Sequence, residues 1–164
     1  YITVDGYNSN ADKARSFGGE VALEWHPRAW WKVKAHYSHL RVKGVRTGDI
    51  LGDIHVSSVE NSAPRHQFSL YNNFSLPHRL NLDVRLRYNS ETAHYLLNSQ
   101  EMTRLAPYTG LDVRLAWQPM RNMELSVQGR NLLTSRHSEF ISTFPLTLAY
   151  DVQRSALVQA VVRF

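Results

Sequence analysis

Apolar and polar residues alternate with a period of two along most of this chain. In its last stretch the apolar positions are Ala156, Val158, Ala160, Val162 and Phe164. Between them lies a mostly polar or mixed set, Ser155, Leu157, Gln159, Val161 and Arg163. Such alternation predicts a β-strand with two unlike faces. It fits an amphipathic strand of a soluble β-protein, or a membrane strand between lipid and a wet lumen.

The same alternation recurs upstream and predicts seven strands and no helix. From Arg79 onward, for example, apolar residues take the even positions and polar residues the odd ones as far as Asn89. The predicted strands cover 17–25, 30–41, 66–76, 79–89, 108–118, 123–132 and 153–164, and Tyr1–Asp5 is a candidate end of another.

The connections between these strands alternate in length. Short turns at 26–29, 77–78 and 119–122 contain or adjoin proline, whereas long connections run over 42–65, 90–107 and 133–152. Tight turns at one end and long loops at the other are the layout of outer-membrane barrels. The predicted fold class is therefore all-β: an antiparallel up-and-down meander forming a partial transmembrane β-barrel of about 7–8 strands.

Tryptophan placement supports a membrane interface. Trp25, Trp30 and Trp31 flank the first short turn, and Trp117 precedes the third, so all four fall at one predicted rim. An aromatic girdle at the membrane surface has this placement. The competing interpretation is a set of core tryptophans in a β-sandwich.

Composition gives weaker information. The 164 residues allow one domain, and a mean hydropathy of -0.40 with 20% charged residues resembles a soluble protein. Barrel strands give the same averages, because their lumen residues are polar. Without cysteine there is no disulfide and no thiolate metal site. The formal charge of +5 comes from basic residues scattered among acidic ones, so nucleic-acid binding is not expected.

Five segments, taken in order, resemble the late barrel strands of TonB-dependent outer-membrane receptors. They are Asn10–Ala14 with Gly18–Glu20, Ser62–His66, Ala106–Arg114, Met123–Leu133 and Arg154–Phe164. The sequence departs from the family pattern at Thr134, where Asp or Asn is usual, and at Val161 and Val162, where an aromatic is common.

This resemblance implies energised uptake of a ferric siderophore or similar iron complex across the outer membrane of a Gram-negative bacterium. Residues 1–164 would be the C-terminal segment of the receptor barrel, without the plug domain or the box that engages the energy-coupling TonB protein. Implied partners are outer-membrane lipid, the plug domain, TonB, the barrel assembly machinery and the ferric chelate. The chain opens at Tyr1 with no charged n-region, no apolar h-region and no initiator Met, so we expect a processed start or a piece of a longer protein.

No enzyme chemistry, cofactor or metal site is predicted. The chain has no G-x-S-x-G nucleophile elbow and no H-E-x-x-H spacing among its eight histidines. His36 and His39 fall on opposite faces of one predicted strand, so they are not expected to share a metal ion.

Strand parity selects a charged wall that is expected to face the lumen. It consists of Lys32, Lys34, Asp83, Arg85, Arg87, Asp112, Arg114, Glu124 and Arg130. This wall serves cross-strand charge pairing, plug docking or a basic path for an anionic iron chelate.

Two further sets of candidate residues come from the loops and the last strand. Candidate ligand contacts in the long loops are His94, Tyr95, Arg104, Arg136 and His137. By resemblance, the last strand carries a terminal assembly signal at Val158, Ala160, Val162 and Phe164.

Two other classes of protein remain open at this stage. The first is a complete small outer-membrane barrel of eight strands with a structural or adhesive role. The second is a soluble lipocalin-like binding barrel, whose apolar positions would face inward around a ligand.

Overall fold

A computed structural model of the chain describes residues 13–45, 56–57, 59–96, 101–140 and 151–164. Strands dominate these ranges. Residues 56–57 and 59–61 are helical, so the expectation of no helix was wrong within the predicted connection 42–65. Pro77–Arg79 forms a 3-10 turn. None of the helical segments described is long and apolar enough to cross a membrane. The candidate strand at Tyr1–Asp5 lies outside the described residues.

The described strands number eleven. In chain order they are β1 (Ala14–Arg28), β2 (Trp31–Gly44), β3 (His66–Leu76), β4 (Leu80–Asn89), β5 (Thr92–Leu96), β6 (Glu101–Leu105), β7 (Tyr108–Met120), β8 (Met123–Arg130), β9 (Arg136–Ser138), β10 (Asp151–Gln153) and β11 (Ser155–Val162). Seven of them form one antiparallel sheet in the order β1-β2-β3-β4-β7-β8-β11. This is the predicted up-and-down meander, which agrees with a partial β-barrel.

The predicted long loops contain strands that the sequence pattern did not reveal. β5 pairs with β6 in the connection between β4 and β7, and β9 pairs with β10 in the connection between β8 and β11. Each pair forms a separate two-stranded sheet. Treating 90–107 and 133–152 as plain loops was therefore wrong. These strands are short and lack the sustained alternation that identified the others, because local hairpin pairing rather than a two-sided environment defines them.

Strand ends also differ from the prediction by a few residues. β8 stops at Arg130 because Asn131 has a φ of 54°, a left-handed conformation that ends the strand. β11 stops at Val162 rather than at Phe164. β1 begins three residues earlier and ends three residues later than the alternation indicated, so it includes part of the predicted turn 26–29. β2 continues three residues further, to Gly44, and β7 continues to Met120, inside the predicted turn 119–122.

The register sorts side chains onto two faces across all seven strands. Leu82 pairs with Phe74 and Leu115, and Val84 pairs with Val113. The apolar face comprises Val21, Leu23, Trp25, Val33, Ala35, Tyr37, Phe68, Leu70, Phe74, Leu82, Val84, Leu86, Leu111, Val113, Leu115, Trp117, Leu125, Val127, Val158 and Ala160. The opposite side, called the polar face below, carries the predicted charged wall.

The apolar face is not covered by a protein core. Among the described residues the buried hydrophobic side chains are Val33, Val56 and Ala116, whereas Val21 is 66% exposed and Val158 76% exposed. A contiguous apolar surface of this extent needs an apolar environment. Lipid supplies that environment if the sheet is part of a membrane barrel.

Aromatic rings gather at the short-turn end, as predicted from the sequence. Trp31 stacks on Phe74 with ring centroids 5.7 Å apart, and Trp25 and Trp30 lie 6.3 and 6.4 Å from Trp31. Trp31 also provides a hydrogen-bond donor for Asn72, whose polar amide interrupts the apolar face. The indole Nε1 donates to Asn72 Oδ1 over 3.0 Å, so this amide oxygen has a partner in an otherwise apolar surface.

We expect the apolar face to contact lipid, and substitutions at its centre to be costly. Leu82→Arg and Val113→Arg should each destabilise the inserted barrel by about 2–4 kcal/mol, the range for a cation near the bilayer midplane. Arg85→Leu on the polar face should cost much less. The measurement is reversible unfolding from lipid vesicles of the full protein that contains this segment. Equal costs on the two faces would contradict the assignment.

Candidate functional site

Asp83 is the centre of a hydrogen-bonded cluster on the polar face. Its Oδ1 accepts from the Tyr71 hydroxyl at 2.5 Å and from Asn73 Nδ2 at 2.7 Å. Its Oδ2 lies 3.4 Å from Arg114 Nη1. The β3–β4 and β4–β7 registers place all three partners around this carboxylate. A half-buried carboxylate with three donors is fixed in position and fully partnered.

Arg114 continues this cluster toward β8. Its Nη2 lies 2.5 Å from Glu124 Oε1, while Gln118 Nε2 donates to Glu124 Oε2 over 3.3 Å. The guanidinium therefore bridges carboxylates from β4 and β8 across β7. An arginine is suited to this task because its several N–H donors lie in one rigid plane.

A second cluster lies nearer the long-loop end. Arg87 Nη2 is 3.4 Å from Asp112 Oδ2, and Asp112 Oδ1 accepts from the backbone N–H of Asn131 at 2.9 Å. Gly110 faces Arg87 across the register, and the guanidinium lies over it, so a side chain larger than alanine would displace Arg87. The buried Arg87 Nε has no partner within the described part of the chain.

The remaining members of the predicted wall are paired to different degrees. Glu24 forms ion pairs with two lysines: Lys32 Nζ lies 2.5 Å from Oε1 and Lys34 Nζ lies 3.2 Å from Oε2. Arg130 donates to Gln128 over 3.3 Å. In the described ranges Arg85 makes no hydrogen bond or ion pair, although Asp112 is its register partner.

Arg85 borders a depression in the polar face. The depression is also lined by Glu24, Lys34, His36, Ser69 and Tyr71. Arg85 and Lys34 give it cationic walls, and Glu24 partly offsets that charge. The site is shallow and open, which suits contact with another surface or a passing ligand better than enclosure of a small substrate.

The predicted loop contacts occupy the small hairpins and do not converge. His94 lies on β5 opposite Thr103, and Arg104 on β6 pairs with Glu91 at 3.6 Å with both side chains exposed. Arg136 on β9 lies 3.9 Å from Asp151. The side chain of Tyr95 is outside the described residues.

His137 instead belongs to a packed loop base. Its ring stacks on Tyr108 at 4.1 Å, Nε2 contacts Glu139 Oε1 at 3.0 Å, and Nδ1 contacts Thr134 Oγ1 at 3.4 Å. Thr134 in turn donates to Asn131 Oδ1 over 2.8 Å. These contacts account for both ring nitrogens, so His137 positions the loop in this structure.

Asn131 anchors that loop base and was not singled out from the sequence. It is 2% exposed and donates from Nδ2 to the carbonyl of Val152 over 3.1 Å, which ties the two ends of the loop together. Its left-handed backbone explains why an asparagine stands there. The sequence signal is the N-L-L triplet that follows the alternating run.

Three of the four predicted assembly residues lie on β11, and Phe164 lies beyond its end. Val158 and Ala160 pair with Val127 and Leu125, Val162 pairs with Met123, and Phe164 is fully exposed beyond the strand. No three His, Asp or Glu side chains in the described residues are grouped as metal ligands. His36 and His39 do lie on opposite faces, since His36 borders the polar depression and His39 packs against His66.

An open sheet with one apolar and one charged face defines the wall of a membrane β-barrel. Comparison with known families agrees: the model described as "TonB dependent receptor-like, beta-barrel" matches residues 1–132. The chain belongs to the TonB-dependent receptor β-barrel family. Its matched relatives among solved structures are receptors, not enzymes.

The solved structures share the fold at low sequence identity. The ferric-catecholate import receptor Fiu from E. coli K12 is 19% identical, has a TM-score of 0.76, and is matched over 99% of this chain and 23% of that chain. A pyoverdine outer membrane receptor, FpvA from Pseudomonas aeruginosa, is 20% identical and has a TM-score of 0.72. The match covers 92% of this chain and 22% of that chain. The siderophore receptor PiuA from Acinetobacter baumannii is 20% identical and has a TM-score of 0.67. The match covers 93% of this chain and 22% of that chain. Comparison with curated protein sequences gives no match.

The chain therefore spans about a fifth of the length of these receptors. The fold and the family follow from the comparisons. Transport, substrate and partners are properties of a whole receptor, and they come to this chain only as proposals.

Removing Asp83 tests whether its cluster stabilises the wall. Asp83→Ala leaves the Tyr71 hydroxyl and the Asn73 amide without their acceptor, so the free energy of unfolding should fall by about 1–3 kcal/mol. Glu20→Ala is the matched control, since Glu20 lies on the same face, is exposed and has no partner within the described ranges. Urea unfolding of the full receptor in vesicles gives both values. Indistinguishable losses would show that the cluster contributes nothing specific.

Proposed function

We propose that this chain forms the C-terminal part of the barrel of an outer-membrane transporter for energised, TonB-dependent uptake of ferric siderophores or similar iron complexes. The observation that carries the proposal is the family match over residues 1–132 on a sheet with one charged face. Support for the substrate class comes from structural relatives described as ferric-catecholate, pyoverdine and siderophore receptors.

The polar face has two tasks in this proposal. Its paired carboxylates and guanidinium groups hold the wall together, as around Asp83 and Arg114. Arg85, at the open depression beside the Lys34–Glu24 ion pair, is available to an anionic partner: either carboxylates of the plug domain or a negatively charged iron chelate during passage.

The remaining partners follow from the same architecture. Outer-membrane lipid covers the apolar face, while the plug domain and the contact with TonB belong to other parts of the receptor. The long connections, with the β5–β6 and β9–β10 hairpins, lie at the extracellular end and contribute ligand contacts.

The test uses cells that depend on the full receptor containing this segment. We expect them to take up a ⁵⁵Fe-labelled ferric catecholate or ferric hydroxamate, and to lose that uptake when the receptor gene is deleted or the proton-motive force is collapsed. Absence of receptor-dependent uptake for both chelate classes would overturn the proposed substrate class.

A loop variant tests, in a binding titration, whether this segment contributes to recognition of the chelate. Shortening the β5–β6 hairpin, which carries His94, Tyr95 and Arg104, should weaken chelate binding to the purified, inserted receptor. The control alters the β7–β8 turn at Arg121 and Asn122, which should reduce folding yield but leave the affinity of the folded fraction unchanged. Unchanged affinity after all three long connections are trimmed would leave this part of the chain as barrel wall only.

We also propose that the outward row Val158, Ala160 and Val162, ending in Phe164, is read by the barrel assembly machinery. Phe164 is exposed and leaves the sheet, so its ring is free for an intermolecular contact. Deleting Phe164, or replacing it with aspartate, should lower outer-membrane insertion of the full receptor in cells. The control is Val152→Asp, which changes another exposed apolar residue near the end of the chain. Equal insertion of the parent receptor, the Phe164 variant and the Val152 variant would contradict the proposal.

A further inference from the structure

A chain of directional hydrogen bonds runs through the loop base and begins at a backbone carbonyl. The carbonyl of Val152 on β10 can only accept, so Nδ2 of Asn131 donates to it over 3.1 Å. That contact fixes the orientation of the amide and leaves its Oδ1 as an acceptor. The hydroxyl of Thr134 therefore donates its single proton to Asn131 Oδ1 over 2.8 Å.

The same chain determines the protonation of His137. Because the hydroxyl proton of Thr134 is committed to Asn131, Thr134 Oγ1 can only accept from His137 Nδ1, which lies 3.4 Å away. On the other side of the ring, Nε2 lies 3.0 Å from Glu139 Oε1, and an ionised carboxylate also only accepts. Both ring nitrogens thus face acceptors, and the form of histidine that donates from both is the imidazolium.

The surroundings of His137 favour this charged form. Its side chain is 9% exposed, and that of Glu139 is 32% exposed, so water screens their ion pair less than it screens a pair on the surface. The ring of His137 stacks on Tyr108 with centroids 4.1 Å apart. An aromatic face in this position attracts a cation.

The other charged groups near His137 are paired with one another. They form two ion pairs: Arg87 with Asp112 at 3.4 Å, and Arg136 with Asp151 at 3.9 Å. Tyr108 on β7 is a neutral phenol near neutral pH, and its hydroxyl lies 2.7 Å from the amide of Asn89. Among the described residues, Glu139 is therefore the carboxylate in direct contact with the ring.

We propose that His137 is a pH-sensitive switch in the connection between β8 and β11. With two protons on the ring, the hydrogen-bond chain from Val152 to Glu139 is complete, and it holds the two ends of the connection together. When one proton leaves to water as the pH rises, a nitrogen lone pair faces either the Glu139 carboxylate or the Thr134 oxygen. One contact then becomes repulsive, so the loop base opens more often.

The consequence for the receptor rests on the proposed function, which places this connection at the extracellular end. External acidity then orders the connection, and a neutral or alkaline medium loosens it. The switch itself requires no iron chelate.

Hydrogen–deuterium exchange of the full receptor in detergent, followed by mass spectrometry, measures opening of the loop base. The reporting amides are Asn131, which donates to Asp112 over 2.9 Å, and Arg154, which donates to the carbonyl of Ser135 over 2.9 Å. After correction for the intrinsic pH dependence of exchange, their protection should fall about ten-fold from about pH 5 to about pH 8. Constant protection over this interval would overturn the proposal.

A histidine variant separates the switch from a general effect of pH. His137→Gln cannot become charged, so its protection should be about ten-fold lower than that of the parent at the acid end of the interval and should not change with pH. The control is His78→Asn at the β3–β4 turn, where the histidine is exposed and its left-handed φ of 60° suits asparagine. This control should keep the parent profile, and an undiminished fall in the His137→Gln receptor would overturn the proposal.

A pair of threonine variants tests the same chain without changing the histidine, and it decides the question if His137→Gln fails to fold. Thr134→Ser keeps the hydroxyl and should keep the pH profile of the parent. Thr134→Val removes the acceptor for Nδ1, so its protection should be lower at the acid end and depend less on pH. Identical profiles for the serine and valine variants would overturn the proposal.

Binding of a ferric catecholate or ferric hydroxamate to the same preparations tests the proposed function separately. A receptor that shows the pH-dependent protection but binds neither chelate would refute the proposed substrate class and support the switch.

Discussion

Backbone pairing between neighbouring strands is the constraint on which the rest of this structure depends. Hydrocarbon offers no hydrogen-bond partner, so each strand inside a membrane must be satisfied on both edges by other strands. β2, β3, β4, β7 and β8 meet that condition within the main sheet. The outer edges of β1 and β11 are satisfied only when further strands lie beside them in the membrane, which is why the sheet is a section of a larger barrel wall.

Fixed pairing also fixes the register, and the register determines which side chains meet. Because Asp83 faces Asn73 on one side and Arg114 on the other, an unremarkable aspartate becomes the centre of a three-donor cluster. A shift of one residue would move Asp83 to the apolar face and leave Arg114 with one carboxylate fewer. The charged wall therefore specifies strand alignment, since misaligned strands would move ions onto the apolar face.

Much of the architecture could be predicted from the sequence because it follows from a period of two. The seven strands, the common face of Asp83, Arg87, Asp112 and Arg114, and the tryptophan rim all depend on local alternation. The Trp31–Asn72 hydrogen bond and the loop base at Asn131 depend on pairing between strands distant in sequence, which alternation does not contain. The β5–β6 hairpin was not predicted for another reason. It lies outside the main sheet, whose unlike faces produce the alternation of apolar and polar residues.

The net charge of the chain becomes informative once its charged residues are located on the two faces of the main sheet. A formal charge of +5 indicates an anionic partner in general terms, and nucleic acid is one such partner. Here the carboxylates of the main sheet are confined to one face, whereas cations such as Arg41 and Lys43 also occur on the other face, at the end of β2 away from the short turn. Arginine and lysine tolerate that position because their long apolar stems lie along lipid while the charge reaches the headgroups. In a membrane barrel a carboxylate at that end would face lipid phosphates of its own sign, so a membrane would account for the unequal distribution of charge as well as for the need for strand pairing.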